Sequence, residues 1–347
     1  MTHPRDVLLG AASSTPLPVC DHYCGVEARM VKSLALQAEL AEEFGACVFD
    51  VTLDCEDGAP VGAEEEHALM VLALVNQVQP ANEIEASGVR RRVAVRVHPV
   101  GHPAFEQDVE IILGGVAQSL CHVMIPKVDS LADLQRALQS VDRATALSGR
   151  REDLPVHVLI ESPAAVQCVA EIVRHPRVQS ASFGLMDFVS AHGGAIPASA
   201  METSAKSTFE KLDQFSHPLV LRAKLEISAA CHAFGKVASH CVVTEFKNAA
   251  VVQTAARRAS QALGFGRMWS IHPDQIRPIL SAFAPDEAEV ARASRIVCAA
   301  FAADWAPISV GGALHDRASY RYFWQILVRA QHTMRLRRDD PAQLFFH

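Results

Sequence analysis

A (β/α)8 TIM barrel of the α/β class, with a C-terminal helical extension, is the fold this sequence predicts. Two observations carry it. Apolar, β-branched runs alternate with segments of helical spacing about eight times over roughly 270 residues, at the period of about 25–45 residues that a βα unit needs. The runs at 156–160 and 180–185 are each followed closely by a carboxylate, Glu161 for the first and, after Gly184, Asp187 for the second. Ligands bind at that end of the strands in a parallel barrel. No glycine-rich dinucleotide fingerprint or phosphate loop stands at any strand–helix junction, which argues against a Rossmann cofactor site.

Taken in order, residues 17–20 form a short first strand after a proline-rich leader. Met30, Val31, Leu34, Ala38, Ala41 and Phe44 then recur at helical spacing up to Gly45, a suitable C-terminal cap. Residues 46–53 read as a second strand running into the acidic stretch Asp54-Cys55-Glu56-Asp57-Gly58, and 64–78 as a helix. A third strand, 93–97, carries Arg96 and is followed by His98-Pro99. A helix at 105–113 precedes a strand at 122–125 that ends in Pro126-Lys127. Leu131, Leu134, Leu138 and Val141 mark the next helix. Between the two acid-tipped strands, Val166, Val169, Ala170 and Val173 line one helix face. Beyond them come a helix at 219–234, an extended run at 237–243, a helical face from Ala249 to Leu263, a last strand at 267–271 and a last core helix at 273–283. The barrel domain is therefore placed at 1–284, and 285–347 is read as a helical lid or oligomerisation segment containing an aromatic-rich helix.

Of 347 residues, half are apolar and 20% charged, enough to bury a sizeable core. A net charge of −7 argues against a nucleic-acid surface and against a polybasic membrane patch. No run of about eighteen apolar residues exists to span a membrane, and the N-terminal residues do not read as a signal peptide. Nine scattered cysteines without a CxxC pair suggest a reduced, cytoplasmic protein rather than a zinc or disulfide framework.

A lone carboxylate at a strand end is usually a helix cap or an arginine partner. Repetition on successive strands changes the balance, because two such acids repel unless a cation lies between them. A hard divalent ion, Mg²⁺, suits an all-oxygen donor set, and Glu161 and Asp187 are its candidate ligands.

The motifs FDVTLDCEDG, VRVHP, IPKVDS, LIESPAAV, SFGLMDF and WSIHPDQI, in that order over about residues 46–285, resemble the citrate lyase β-subunit and malyl-CoA lyase group of HpcH/HpaI aldolases. The resemblance implies a Mg²⁺-dependent barrel that makes or cleaves a carbon–carbon bond, commonly in 3-hydroxyacyl-CoA thioesters, and that assembles as a homo-oligomer, a trimer or hexamer. It also implies that Glu161 and Asp187 hold the metal, that Arg96 holds the carbonyl and carboxylate of a keto-acid fragment, and that Glu56 and Asp57 organise metal-bound water. Independently of the family, cleavage of this type leaves negative charge on an oxygen. A cation with a guanidinium beside it stabilises that charge where it develops, and arginine offers a bidentate contact that lysine does not.

Other roles are open. Arg96 could be paired to one of the neighbouring acids, Lys127 could pair with Glu161 or act in catalysis, and His272 reads as a packed histidine. The chain also departs from the family pattern. It has LPVCDHYCG in place of an Arg-rich opening strand with a Pro-Gly turn, His98 for an asparagine, Arg267-Met268-Trp269 for a lysine-bearing stretch, and Glu245-Phe246-Lys247-Asn248 for Asp-Phe-x-Asp. All but His98 bear on CoA recognition. The segment 189–216 is long for a βα loop and reads as a substrate-specific cover. The small-molecule partner is thus an acyl-CoA or a free keto or hydroxy acid. The alternatives are a CoA-independent aldolase or hydrolase and a non-catalytic subunit of a lyase complex. Aromatic density in the C-terminal segment, at Trp305, Tyr320, Tyr322, Phe323, Trp324, Phe345 and Phe346, suggests packing across a subunit boundary or, equally, a fold back onto the chain's own barrel.

Overall fold

The computed structural model describes residues 2–9, 17–78, 91–203 and 212–346. Among them the chain divides into two compact units, one running from Leu17 to Ile279 and one made of the described residues before Leu17 together with those from Leu280 onward.

The first unit is a closed, all-parallel eight-stranded barrel. Its strands are β1 (Cys20–Cys24), β2 (Phe49–Asp54), β3 (Val93–Arg96), β4 (Leu120–Ile125), β5 (Val156–Ile160), β6 (Val178–Phe183), β7 (Val237–His240) and β8 (Arg267–Ser270). Each pairs with the next, and β8 closes on β1 through Cys20 opposite Met268. The intervening helices include Glu27–Phe44, Glu64–Asn76, Leu131–Leu147, Pro163–Val173 and Pro218–Ala233. Glu27–Phe44 ends at Gly45 with φ 64°, a left-handed cap that glycine adopts without strain. The expected helix at 105–113 is α-helical only over Phe105–Asp108 and widens to a π-helix over Val109–Leu113.

The first strand lies later than the sequence reading placed it, at Cys20–Cys24 in place of 17–20. The displacement has a physical cause. Asp21 and His22 are fully buried, and polar groups inside the chain take up their hydrogen bonds: Thr52 donates to Asp21 at 2.8 Å, and His22 reaches Ser270 and Ser33 at 3.0 Å each. A reading by apolarity stops where this polar lining begins. The sixth strand is likewise Val178–Phe183, and residues 184–187 belong to a turn and a short helix, Leu185–Ser190.

In the second unit, helices Glu287–Ala302 and Arg317–His332 pack together with a short hairpin, Ile308–Val310 against Ala313–His315. Trp305, Tyr320, Phe323, Trp324 and Phe345 form its core with Leu8, and the Trp305 indole donates to the Thr2 carbonyl at 3.0 Å. These aromatics pack inside their own unit, so their density does not argue for a subunit boundary; of the C-terminal aromatics, Tyr322 is the one left mostly exposed. No helix among the described residues is long and apolar enough to cross a membrane.

Candidate active site

Five carboxylates gather around the carboxyl ends of β2, β5 and β6, and two cations stand among them. Arg96, the last residue of β3, is almost fully buried. Its Nε and Nη2 donate to the two oxygens of Asp54 at 2.6 Å each, and its Nη1 lies 2.9 Å from Glu56. The guanidinium also lies over the Tyr23 ring at 5.1 Å and near Trp269 at 6.0 Å, a cation–π floor. The pairing foreseen as an alternative for Arg96 is therefore present, and it is bidentate.

Asp54 is held on both sides. Its oxygens accept the backbone N–H groups of Glu56 and Gly58 at 2.9 and 2.8 Å, which folds the 54–58 stretch into a tight turn over the strand end. A Cβ on Gly58 would come 2.3 Å from Asp54 Oδ2, so this turn requires glycine. Those donors, together with Arg96, keep the Asp54 carboxyl below its ordinary range against the effect of burial.

Lys127 is the residue whose place the sequence left undecided. It sits just beyond β4 with φ 51°, a left-handed conformation unusual for a lysine, and strain of this kind is commonly retained at functional sites. Its backbone N–H donates to Glu161 Oε1 at 2.5 Å. Its ammonium bonds Glu56 and lies 3.6 Å from Asp57 and 3.9 Å from Asp187. One residue thus ties together acids from three strand ends, two of them through its side chain and one through its backbone N–H.

Glu161, directly after β5, is buried, and its carboxyl is pushed up to about 8, first by burial and then by the charges of Asp187 and Glu56. Asp187 lies in the first turn of helix Leu185–Ser190, not on the strand itself, and its side chain is 39% exposed. Asp57 is the most open of the group, with a side chain 56% exposed. Gly184 completes the arrangement, since a Cβ there would lie 2.3 Å from Glu161 Cβ and 2.5 Å from its Oε2. Gly184→Ala should therefore displace the Glu161 carboxylate. The expected loss of turnover is about a hundred-fold, the size typical of a misplacement of about 1 Å, with far-UV circular dichroism unchanged; turnover at the wild-type level would show that Glu161 moves without consequence.

The donor set suits a hard divalent cation. Asp54, Glu56, Asp57, Glu161 and Asp187 outnumber Arg96 and Lys127, the donors are all oxygens, and the charges of Asp187 and Glu56 add to burial in raising the Glu161 carboxyl.

A second set of donors lies deeper in the barrel, and the sequence reading did not single it out. Asp21, His122 and His157 form one group, and Asp50, Cys121 and His122 another, with donor atoms within 4.8 Å of one another. Asp50 is already taken by Arg267 at 2.5 Å and Arg92 at 2.6 Å, and Arg267 also approaches Asp21 at 3.4 Å. With guanidinium groups filling the space beside the carboxylates, this layer reads as an ion-paired barrel interior. The signal for it was present as charged and imidazole side chains inside otherwise apolar strands.

The remaining sequence candidates take structural places. His272 caps the turn Pro273–Gln275 through the Asp274 N–H at 3.2 Å and stacks on Phe246. Glu245 accepts the N–H groups of Lys247 and Asn248, and Asn248 caps the helix Ala249–Arg257. Within the 189–216 segment, residues 204–211 lie outside the described residues; Ile196, Ala200 and Phe215 on either side are buried.

A family model described as HpcH/HpaI aldolase/citrate lyase matches residues 30–273. The chain belongs to that family. As an HpcH/HpaI aldolase/citrate lyase member it is a carbon–carbon lyase. A crystallised citrate lyase from Burkholderia xenovorans LB400 is 43% identical, covers 99% of each chain and superposes with a TM-score of 0.79. An L-malyl-CoA/beta-methylmalyl-CoA lyase of Cereibacter sphaeroides is 29% identical over 269 residues, 76% of this chain and 81% of that one. A citrate lyase beta subunit from M. tuberculosis, complexed with oxaloacetate and magnesium, is 22% identical over 81% of this chain and all of that one, with a TM-score of 0.56; at that identity the likeness speaks to the fold alone.

Proposed function

We propose that this barrel holds Mg²⁺ through Glu161 and Asp187 and cleaves or forms the carbon–carbon bond of a 3-hydroxyacyl-CoA thioester of malyl or citramalyl type. The observation that carries the proposal is the convergence of Glu56, Glu161 and Asp187 on one strand-end site with Arg96 beneath it. When bound, the ion supplies Lewis-acid stabilisation of the negative charge that bond cleavage leaves on oxygen.

The chain's own residues supply the rest. Arg96 uses three N–H groups on Asp54 and Glu56, which leaves it two of five for the carbonyl and carboxylate of a keto-acid fragment. Its grip on Asp54 fixes the plane of the guanidinium before substrate arrives. Glu56 and Asp57 orient water beside the ion, and Lys127 holds Glu56 in place while its backbone N–H orients Glu161. Homo-oligomerisation as a trimer or hexamer and a reducing, cytoplasmic setting for the nine free thiols belong to the same reading; the mass in solution tests the first.

A CoA-independent reading has one specific observation in its favour. Arg267, in the stretch where the family carries a lysine, is fully buried on Asp50 and is not available to a CoA phosphate. Product analysis with malyl-CoA, citramalyl-CoA and the corresponding free acids separates the two. Mg²⁺ should raise the melting temperature of the wild-type chain, and Asp187→Asn should abolish that rise. An undiminished rise in that variant would remove Asp187 from the metal site.

A further inference from the structure

At the tip of β3, two residues beyond Arg96, His98 makes an interaction that the reaction as described does not use. Its backbone N–H donates to Asp108 Oδ2 at 2.9 Å and its ring Nδ1 meets the same oxygen at 2.7 Å. Asp108 is fully buried, at the end of the helix Phe105–Asp108, and its other oxygen has no hydrogen-bond partner among the described residues. The carboxylate therefore fixes the ring by its Nδ1–H, and Nε2 has no hydrogen-bond partner among the described residues.

Several groups surround the ring. His102 stacks on it at 4.3 Å with planes 13° apart, and its Nδ1 accepts the Ala104 N–H. Glu56 from the turn after β2, Glu64 from the helix that follows it, and Asp108 are the charged groups whose fields act on His98. His98 lies two residues past the end of β3, and Glu56, which Arg96 meets at 2.9 Å, is among the charges that act on its ring, so the ring borders the same mouth. Burial alone would depress the imidazole, but the hydrogen bond and charge of Asp108 outweigh it and raise it above the ordinary range.

Among the acids and bases of this mouth, Glu56 is tied to Lys127 and Arg96, Asp54 to Arg96, and Glu161 to the Lys127 backbone. We propose that His98, oriented by Asp108, carries the proton in the lyase reaction, with Nε2 in contact with the 3-hydroxyl of the bound hydroxyacyl substrate. The inference rests on the substrate class proposed above. In the cleavage direction Nε2 takes the hydroxyl proton. The C–O bond becomes a carbonyl as the C2–C3 bond breaks, and its electron pair passes to the acyl fragment as an enolate. The same proton then goes from Nε2 to C2, which returns the imidazole to its starting state. No other reagent is consumed. Asp108 is a positioning residue: it selects the tautomer with Nε2 unprotonated and stabilises the cation formed midway.

The test uses the full chain with His98→Gln and Asp108→Asn. The His98→Gln variant should lose kcat by about a hundred- to a thousand-fold, in the range for a removed general base, with KM within about three-fold. It should also lose exchange of the methyl protons of acetyl-CoA with deuterated solvent. Asp108→Asn should lower kcat and move the acid limb of the kcat profile to lower pH, because the partner that raises the imidazole is gone; a purely structural role would leave that limb in place. A His98→Gln enzyme with wild-type kcat and wild-type exchange overturns the proposal. Should wild type cleave neither thioesters nor free acids, the proposed substrate class fails by itself. The ring resonances of His98 during titration with pyruvate or acetyl-CoA then decide: shifts absent from the His98→Gln spectrum sustain its contact with substrate, and unchanged resonances end it.

Discussion

Arg96→Lys should slow turnover by about ten- to a hundred-fold, and Arg96→Met should also destabilise the barrel by about 3–5 kcal/mol, the range for removing one partner of a buried ion pair. The larger figure follows from what the guanidinium leaves behind. Asp54 is fully buried and Glu56 nearly so, and Arg96 is the cation that faces both. Two backbone N–H groups would still bond Asp54, but its charge would have no opposite charge beside it. The lysine variant restores a charge without the planar fork. It can meet one oxygen of Asp54 and cannot span Asp54 and Glu56 together, so the residual N–H groups aimed at substrate lose their orientation. Urea unfolding gives the first number and steady-state kinetics the second. Wild-type kinetics in Arg96→Lys would mean that the arginine only pairs, and wild-type stability in Arg96→Met would mean that water reaches Asp54 after all.

The barrel was legible because its register of apolar runs and helical faces repeats with the period of a βα unit, and that period survives local errors. The errors share one cause. The start of β1 was misread because Asp21 faces a polar interior and His22 bonds Ser33 on the covering helix, and the end of β6 because Gly184 and Leu185 look apolar although the chain has already turned into a helix. Hydropathy reports burial against apolar neighbours, whereas here the interior is lined by Asp21, Thr52, His122, His157, Ser180 and Ser182, which satisfy much of one another's bonding. A His157 ring bonded to both Ser180 and Ser182 has no signature in a one-dimensional pattern, because its partners lie on the next strand.

The candidate site was legible in part. Strand ends pointed to Glu161, Arg96 and the 54–58 turn, since position along a strand can be read from sequence. What links them could not be read. The reach of Lys127 to Glu56, Asp57 and Asp187 depends on a left-handed backbone at position 127 and on strand order around the barrel. Asp108 is ten residues from His98 and belongs to a helix whose sequence looks like any amphipathic turn. The C-terminal aromatics read as an interface because a core needs partners, and theirs include Thr2 and Leu8, about 300 residues away in the chain.

Arg267→Met should be as damaging to stability as the loss of Arg96, by about 3–5 kcal/mol near neutral pH, and its penalty should shrink as pH falls. Arg267 is fully buried at the start of β8, 2.5 Å from Asp50 and 3.4 Å from Asp21. Asp50 keeps Arg92 after the substitution, but among the described residues Asp21 keeps only the Thr52 hydroxyl. Even with Arg267 present, Asp21 stands raised to about 6, by burial against the attraction of that guanidinium. Without it the carboxyl rises further. A carboxyl raised in the folded state gives its full contribution below the unfolded value near 3.8 and loses it as pH climbs through the folded one. The variant's stability should therefore decline between pH 5 and pH 8 more steeply than that of wild type, in which Arg267 offsets the charge of Asp21. Adding Asp21→Asn to Arg267→Met should recover much of the loss at pH 8 and little at pH 5, since the second change removes the charge that the first left buried. Urea unfolding of the three proteins at both values checks this. Parallel pH dependences for Arg267→Met and wild type would show that Asp21 is neutral in both, and that the barrel interior is held by Asp50, Arg92 and hydrogen bonds alone.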